Sequence, residues 1–143
     1  MQFMIIVKAG AACEAGNKPG EDVVAAVLNY TQEMRRAGVL VELSRLEPSA
    51  KGARVQFSGG KPLVIDGPFA ETKELIGGYW IIDVDSKEEA IEWAKRVPPR
   101  VGPEDTVIEV RRFLEVEEFV PSAALSAAAE PAREREKFKM RAR

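Results

Sequence analysis

The chain has 143 residues, 45% of them hydrophobic and 31% charged, and no stretch approaches the roughly 20 apolar residues that a membrane span requires. Lys and Arg number 21 against 23 Asp and Glu, the single cysteine (Cys13) excludes an internal disulfide, and there is no histidine. The missing imidazole removes the usual catalytic base, the commonest metal ligand and the physiological-pH switch together.

This composition describes one globular domain, and one unpaired cysteine fits the reducing cytoplasm. The apolar run from Phe3 to Val7 is too short for a secretory leader and lacks a basic flank. In chain order, residues 2–8 (QFMIIVK) form a strand candidate that is apolar on both faces, Phe3, Ile5 and Val7 on one and Met4 and Ile6 on the other. A glycine-rich loop follows and contains Cys13. From Glu21 to Ala37 the spacing is helical: Val23, Val24, Val27, Tyr30, Thr31 and Met34 share a face, acids open the first turn, and Gly38 stops the helix. Residues 39–46 alternate as a strand up to Pro48. Residues 54–57 and 63–65 flank Ser58-Gly59-Gly60-Lys61, a hairpin tip. Asp66-Gly67-Pro68-Phe69 is a turn. Residues 79–84 (YWIIDV) are a second strand apolar on both faces, entered through Gly77-Gly78. Ser86 and Glu89 make a capping box for a helix to Val97, in which Ala90, Ile91, Ala94 and Val97 point inward. A last strand starts at Thr106 and continues through Phe113 and Leu114.

The order β-α-β-hairpin-β-α-β specifies an α+β fold: a ferredoxin-like βαββαβ protomer with an inserted β-hairpin. It divides the chain into a domain over 1–120 and a charged tail over 121–143, helical or flexible. The tail holds six basic and three acidic residues, leaving 15 basic and 20 acidic in the body. An acidic body lacks the basic face that phosphate contact needs, so nucleic acid is not expected as the main partner. Two helices cover only one face of a four-stranded sheet, yet both central strands are apolar on both. The expected cover is the same sheet of a second subunit, stacked face to face as a dimeric α/β barrel. A homodimer, or a higher homo-oligomer, follows. The rival cover, the chain's own C-terminal segment, is too small-sided over Ala124 to Ala129.

The segment DGPFAETKELIGGYWII, residues 66–82, closely resembles the signature of the DGPF-domain proteins, a branch of the YCII-related family. The likeness extends over about residues 1–115, through RRAGVL at 35–40 and EEAIEWAKRVP at 88–98. It implies a dimeric α+β barrel of ferredoxin-like protomers. Some relatives lie beside or are fused to extracytoplasmic-function sigma factors, which implies a regulatory context. Others carry a His–Asp pair proposed as catalytic, which a chain without histidine does not reproduce. The tail lies outside the resemblance.

The candidate site follows the motif. Asp66 has two readings: an Asx-turn acceptor for its own backbone, or a ligand-binding or general-base carboxylate at the cleft mouth. It is the best catalytic candidate. Phe69 anchors the turn or walls a site. Glu71, Thr72 and Lys73 form a solvated polar face or orient a polar ligand, and Gly77 and Gly78 permit a bulge or a close ligand approach. Tyr79 and Trp80 point to opposite faces of the sheet. Arg45 and Arg54 add positive charge near a ligand's anionic group. Cys13 has no activating partner, and neither metal-ligand spacing nor a phosphate-loop pattern is present, so no cofactor is expected. Three roles fit: a binding protein for a polar metabolite or partner, a cofactor-independent isomerase or lyase with a carboxylate as proton carrier, and an assembly role for the tail.

Overall fold

The computed structural model of the chain describes residues 1–71, 74–99 and 106–119. By contacts the chain divides into Met1–Arg112 and Phe113–Arg143. The proposed tail, 121–143, lies outside the described residues.

The first unit is a ferredoxin-like α+β fold. Strands β1 (Gln2–Lys8), β2 (Leu40–Arg45), β5 (Ile76–Asp83) and β6 (Ile108–Arg112) form a sheet in the order β2-β5-β1-β6. All of its pairings are antiparallel. The two strands that are apolar on both faces are the central pair, as the sequence pattern requires. Register places Ile5 opposite Trp80 and Val110, and Phe3 opposite Ile82, so these side chains share one face. Helices α2 (Glu21–Arg36) and α3 (Lys87–Lys95) supply Tyr30, Met34, Ala90 and Trp93 to the same core. Ile5, Met34 and Ile82 are fully buried, worth about 1.5–3 kcal/mol each. The polar atoms in this core are satisfied: the Tyr30 hydroxyl donates to the Trp93 carbonyl at 2.8 Å, and Trp80 Nε1 donates to Thr31 Oγ1 at 3.3 Å.

Local signals in the sequence explain the helix ends. Gly38 has φ of 72°, its N–H reaches the Arg35 carbonyl and the Val39 N–H reaches the Met34 carbonyl, so α2 closes in a Schellman motif. Ser86 Oγ accepts the Glu89 N–H at 3.1 Å, while the Glu89 carboxylate accepts from Asp85, one residue outside the usual box. The inward face of α3 differs from the expected one. Trp93 is buried with Ala90, whereas Ile91 is only half-buried.

Several boundaries also differ. Gly77 and Gly78 lie inside β5 instead of leading into it. A Cβ on Gly78 would come within 2.9 Å of the Ser44 carbonyl oxygen, so the close approach there is to β2. Cys13 sits on a short helix, α1 (Ala11–Glu14), and β6 ends at Arg112, before Phe113 and Leu114. A four-residue helix has too little periodicity to show in a sequence. Beyond β6, the second unit begins with α4 (Val116–Phe119).

The inserted hairpin is a separate two-stranded sheet, β3 (Ala53–Ser58) and β4 (Lys61–Asp66). Gly59 and Gly60 have φ of 58° and 78°, the conformation of a two-residue type I′ turn. Every residue of both strands is exposed.

Candidate functional site

The base of the hairpin is tied down by contacts distant in sequence. The Gly67 N–H donates to the Gly52 carbonyl at 3.0 Å. A Cβ on Gly67 would lie 1.7 Å from the Ser49 carbonyl oxygen, so only glycine fits there. Two residues on, the Phe69 N–H donates to Ser49 Oγ at 3.0 Å. Ser49 in turn holds both oxygens of Glu14, donating from its hydroxyl at 2.5 Å and from its backbone N–H at 3.1 Å. Three segments, α1, the 3-10 turn Ser49–Lys51 and the 66–69 turn, are thereby joined through one serine side chain. Across the Phe69 ring lies the Arg54 guanidinium, 3.9 Å from the centroid. A cation over an aromatic face contributes about 0.5–1 kcal/mol at an exposed site.

These groups border an open surface pocket of about 290 Å³, called the cavity below. Its apolar lining residues are Leu46, Phe69, Leu75 and Ile76, and its polar ones are Ser49, Arg54, Glu14, Glu47 and Glu74. The lining therefore carries three negative charges and one positive. Glu47 is paired with Lys51 at 3.0 Å, both exposed. Arg54 and Glu74 make no ion pair among the described residues. No group of three or more His, Cys, Asp or Glu side chains among the described residues is placed to hold a metal ion.

The sequence-based candidates separate into three places. Phe69 lines the cavity. Asp66, at the end of β4, is exposed and lies off the cavity wall, and its carboxylate accepts no hydrogen bond among the described residues, the Asx-turn bond included. Glu71 is exposed, with its carbonyl taken by the Glu74 N–H at 3.0 Å. Gly77 and Gly78 are buried backbone in β5, Gly77 accepting from the Leu46 N–H. Tyr79 belongs to the sheet face away from the helices, where its hydroxyl donates to Glu42 Oε1 at 3.1 Å. Thr72 and Lys73 lie outside the described residues. The contact between Glu14 and Ser49 has no sequence signal, because the two residues lie 35 positions apart.

The sheet face that carries Tyr79 also holds Met4, Ile6 and Ile81, by register. Along its β6 side, Lys8 pairs with Glu109 at 2.9 Å and Arg111 pairs with Glu109 at 3.1 Å. The Lys8 hydrogen bond, and after it that of Arg111, holds the Glu109 carboxyl below the usual carboxylate range. Among the described residues, no helix is long and apolar enough to cross a membrane.

A model of the YCII-related domain matches residues 1–117. An uncharacterized protein of Rhizobium meliloti (strain 1021) is 44% identical over 59 residues, which is 41% of this chain and 48% of that relative. The chain thus spans about half the length of the curated relative it matches.

Proposed function

The chain belongs to the YCII-related family, and from that premise we propose that it is a homodimeric protein that binds a small polar metabolite in the cavity beside the 66–69 turn. The observation that carries this reading is the Arg54–Phe69–Ser49–Glu14 chain of contacts. It fixes one aromatic wall and one guanidinium at the edge of a concave space, using residues from four separate segments. A turn that only reversed the chain would need none of these ties. Apolar walls with a few fixed polar groups are the usual make-up of a small-molecule site.

Dimerisation draws its support from the sheet. The row Met4, Ile6, Tyr79 and Ile81 on the face away from the helices is flanked by Glu42 and Ser44 on β2 and by Glu109 and Arg111 on β6. An apolar centre with a polar rim is how protein interfaces are laid out. The short Ser49–Glu14 contact favours a second reading, a cofactor-independent enzyme whose proton carrier is Glu14 in place of Asp66.

A thermal-shift screen of the full chain against a metabolite panel tests the proposal. A compound at 100 times its dissociation constant adds about 2.7 kcal/mol, an upward shift of roughly 10 °C. The shift should vanish in Ile76→Trp, which fills the cavity, and persist in Asp66→Asn. Equal shifts in wild type and Ile76→Trp would place the ligand elsewhere and refute the proposal. Consumption of the stabilising compound, lost in Glu14→Gln, would favour the enzyme reading.

A further inference from the structure

We infer that the cavity takes a zwitterion of amino-acid size, its carboxylate on Arg54, its ammonium at Glu74, and its apolar side chain against Leu75 and Ile76. The inference rests on the ligand-site reading above and names the ligand's chemical class. Size limits the choice first: about 290 Å³ lies at the lower edge of the roughly 300–1,000 Å³ typical of ligand sites. That is room for one compact metabolite.

Charge then decides between the classes that fit. Arg54 is held against Phe69 and is left without a carboxylate partner among the described residues, although Glu14, Glu47 and Glu74 line the same space. A guanidinium stacked by one face keeps its edge N–H groups free, and that fork matches a carboxylate bidentately. A simple acid would satisfy Arg54 but meet three like charges. A simple amine would suit the carboxylates but gain nothing from Arg54, whose exposed fork water already solvates. A molecule carrying both groups uses both. Glu74 is the carboxylate open to an ammonium, because Glu14 is already held by Ser49 and Glu47 by Lys51. Leu75 and Ile76 adjoin Glu74 in the chain, so an apolar side chain has its wall beside the ammonium site. Arg54, Glu47 and Glu74 are all exposed, so water screens their contacts with a ligand and binding is weak.

Isothermal titration of the full chain with the standard amino acids tests this directly. The tightest binder is then compared with its decarboxylated amine and its deaminated acid. The amino acid should bind at least about tenfold more tightly than either analogue. Arg54→Gln should reduce the amino acid to the amine's affinity, and Glu74→Gln should reduce it toward the acid's. An analogue that binds as tightly as the amino acid overturns the inference, as does the failure of every amino acid to bind. A compound of another class that binds wild type but not Ile76→Trp would sink the zwitterion while leaving the cavity a ligand site.

Discussion

Replacing Ser49 by alanine tests whether the tie beneath the hairpin stabilises the molecule. The hydroxyl accepts the Phe69 N–H at 3.0 Å and donates to Glu14 at 2.5 Å, so alanine removes both contacts at once. The neutral bond contributes about 0.5–1.5 kcal/mol and the charge-assisted one about 1.5–3 kcal/mol. Ser49, Phe69 and Glu14 are only half-buried, so water replaces part of what is lost. The backbone N–H of Ser49 also continues to hold Glu14. The expected loss is therefore about 1–2.5 kcal/mol, read as a lower urea midpoint at unchanged slope. Amide hydrogen exchange at Phe69 should quicken in the same variant. Gly67→Ala should be worse, because its methyl group meets the Ser49 carbonyl and the turn must move. A Ser49→Ala protein within about 0.3 kcal/mol of wild type, with unchanged exchange at Phe69, would show that the tie contributes nothing.

Three further outcomes are expected. Burial holds the Tyr30 phenol above its ordinary value, with Arg96 opposing weakly. The unfolded chain therefore releases this proton first; stability from Tyr30 is intact below about pH 10 and falls by up to about 1.4 kcal/mol per pH unit above it. Tyr30→Phe should show a shallower alkaline decline in urea midpoints, and parallel curves for the two proteins would contradict the assignment. Trp93→Ala, which empties the core beneath α3 and removes the ring 6.2 Å from Tyr30, should cost about 3–5 kcal/mol by the same assay. A loss under about 1 kcal/mol would remove Trp93 from the core account. Ile81→Asp, on the sheet face away from the helices, should convert a dimer to a monomer in sedimentation velocity, and a dimer that persists would refute stacking through that face.

What the sequence reveals about this fold is what repeats at short range. The doubly apolar runs at 2–8 and 79–84 mark the central strands, because a strand covered on both faces has no polar side to show. Gly38 and Ser86 mark helix ends, since their effect is exerted within a few residues. Gly59-Gly60 marks the hairpin for the same reason. Trp93 stands three residues after Ala90 on the same helical face, and its carbonyl accepts the Tyr30 hydrogen bond, a contact across 63 positions that no local pattern signals. Gly77 and Gly78 carry no side chain to alternate, so β5 looks shorter than it is.

The candidate site is less legible. Phe69 is legible because its motif is local, whereas Arg54 reads only as a nearby charge. Nothing around position 14 signals the attachment of Glu14 to Ser49. Asp66 is the polar residue of the motif, yet it does not line the cavity, which Glu74 and Glu47 join from flanking segments. A site assembled from five segments has no sequence spacing of its own.

Ligand binding at the cavity beside the 66–69 turn, and not on the sheet face away from the helices, is open to one direct measurement. Backbone amide chemical-shift mapping with a stabilising compound separates the two. The account predicts the largest shifts at Glu14, Leu46, Ser49, Phe69 and Ile76, with Glu42, Tyr79 and Ile81 nearly unmoved. Shifts concentrated at Glu42, Tyr79 and Ile81 would contradict it.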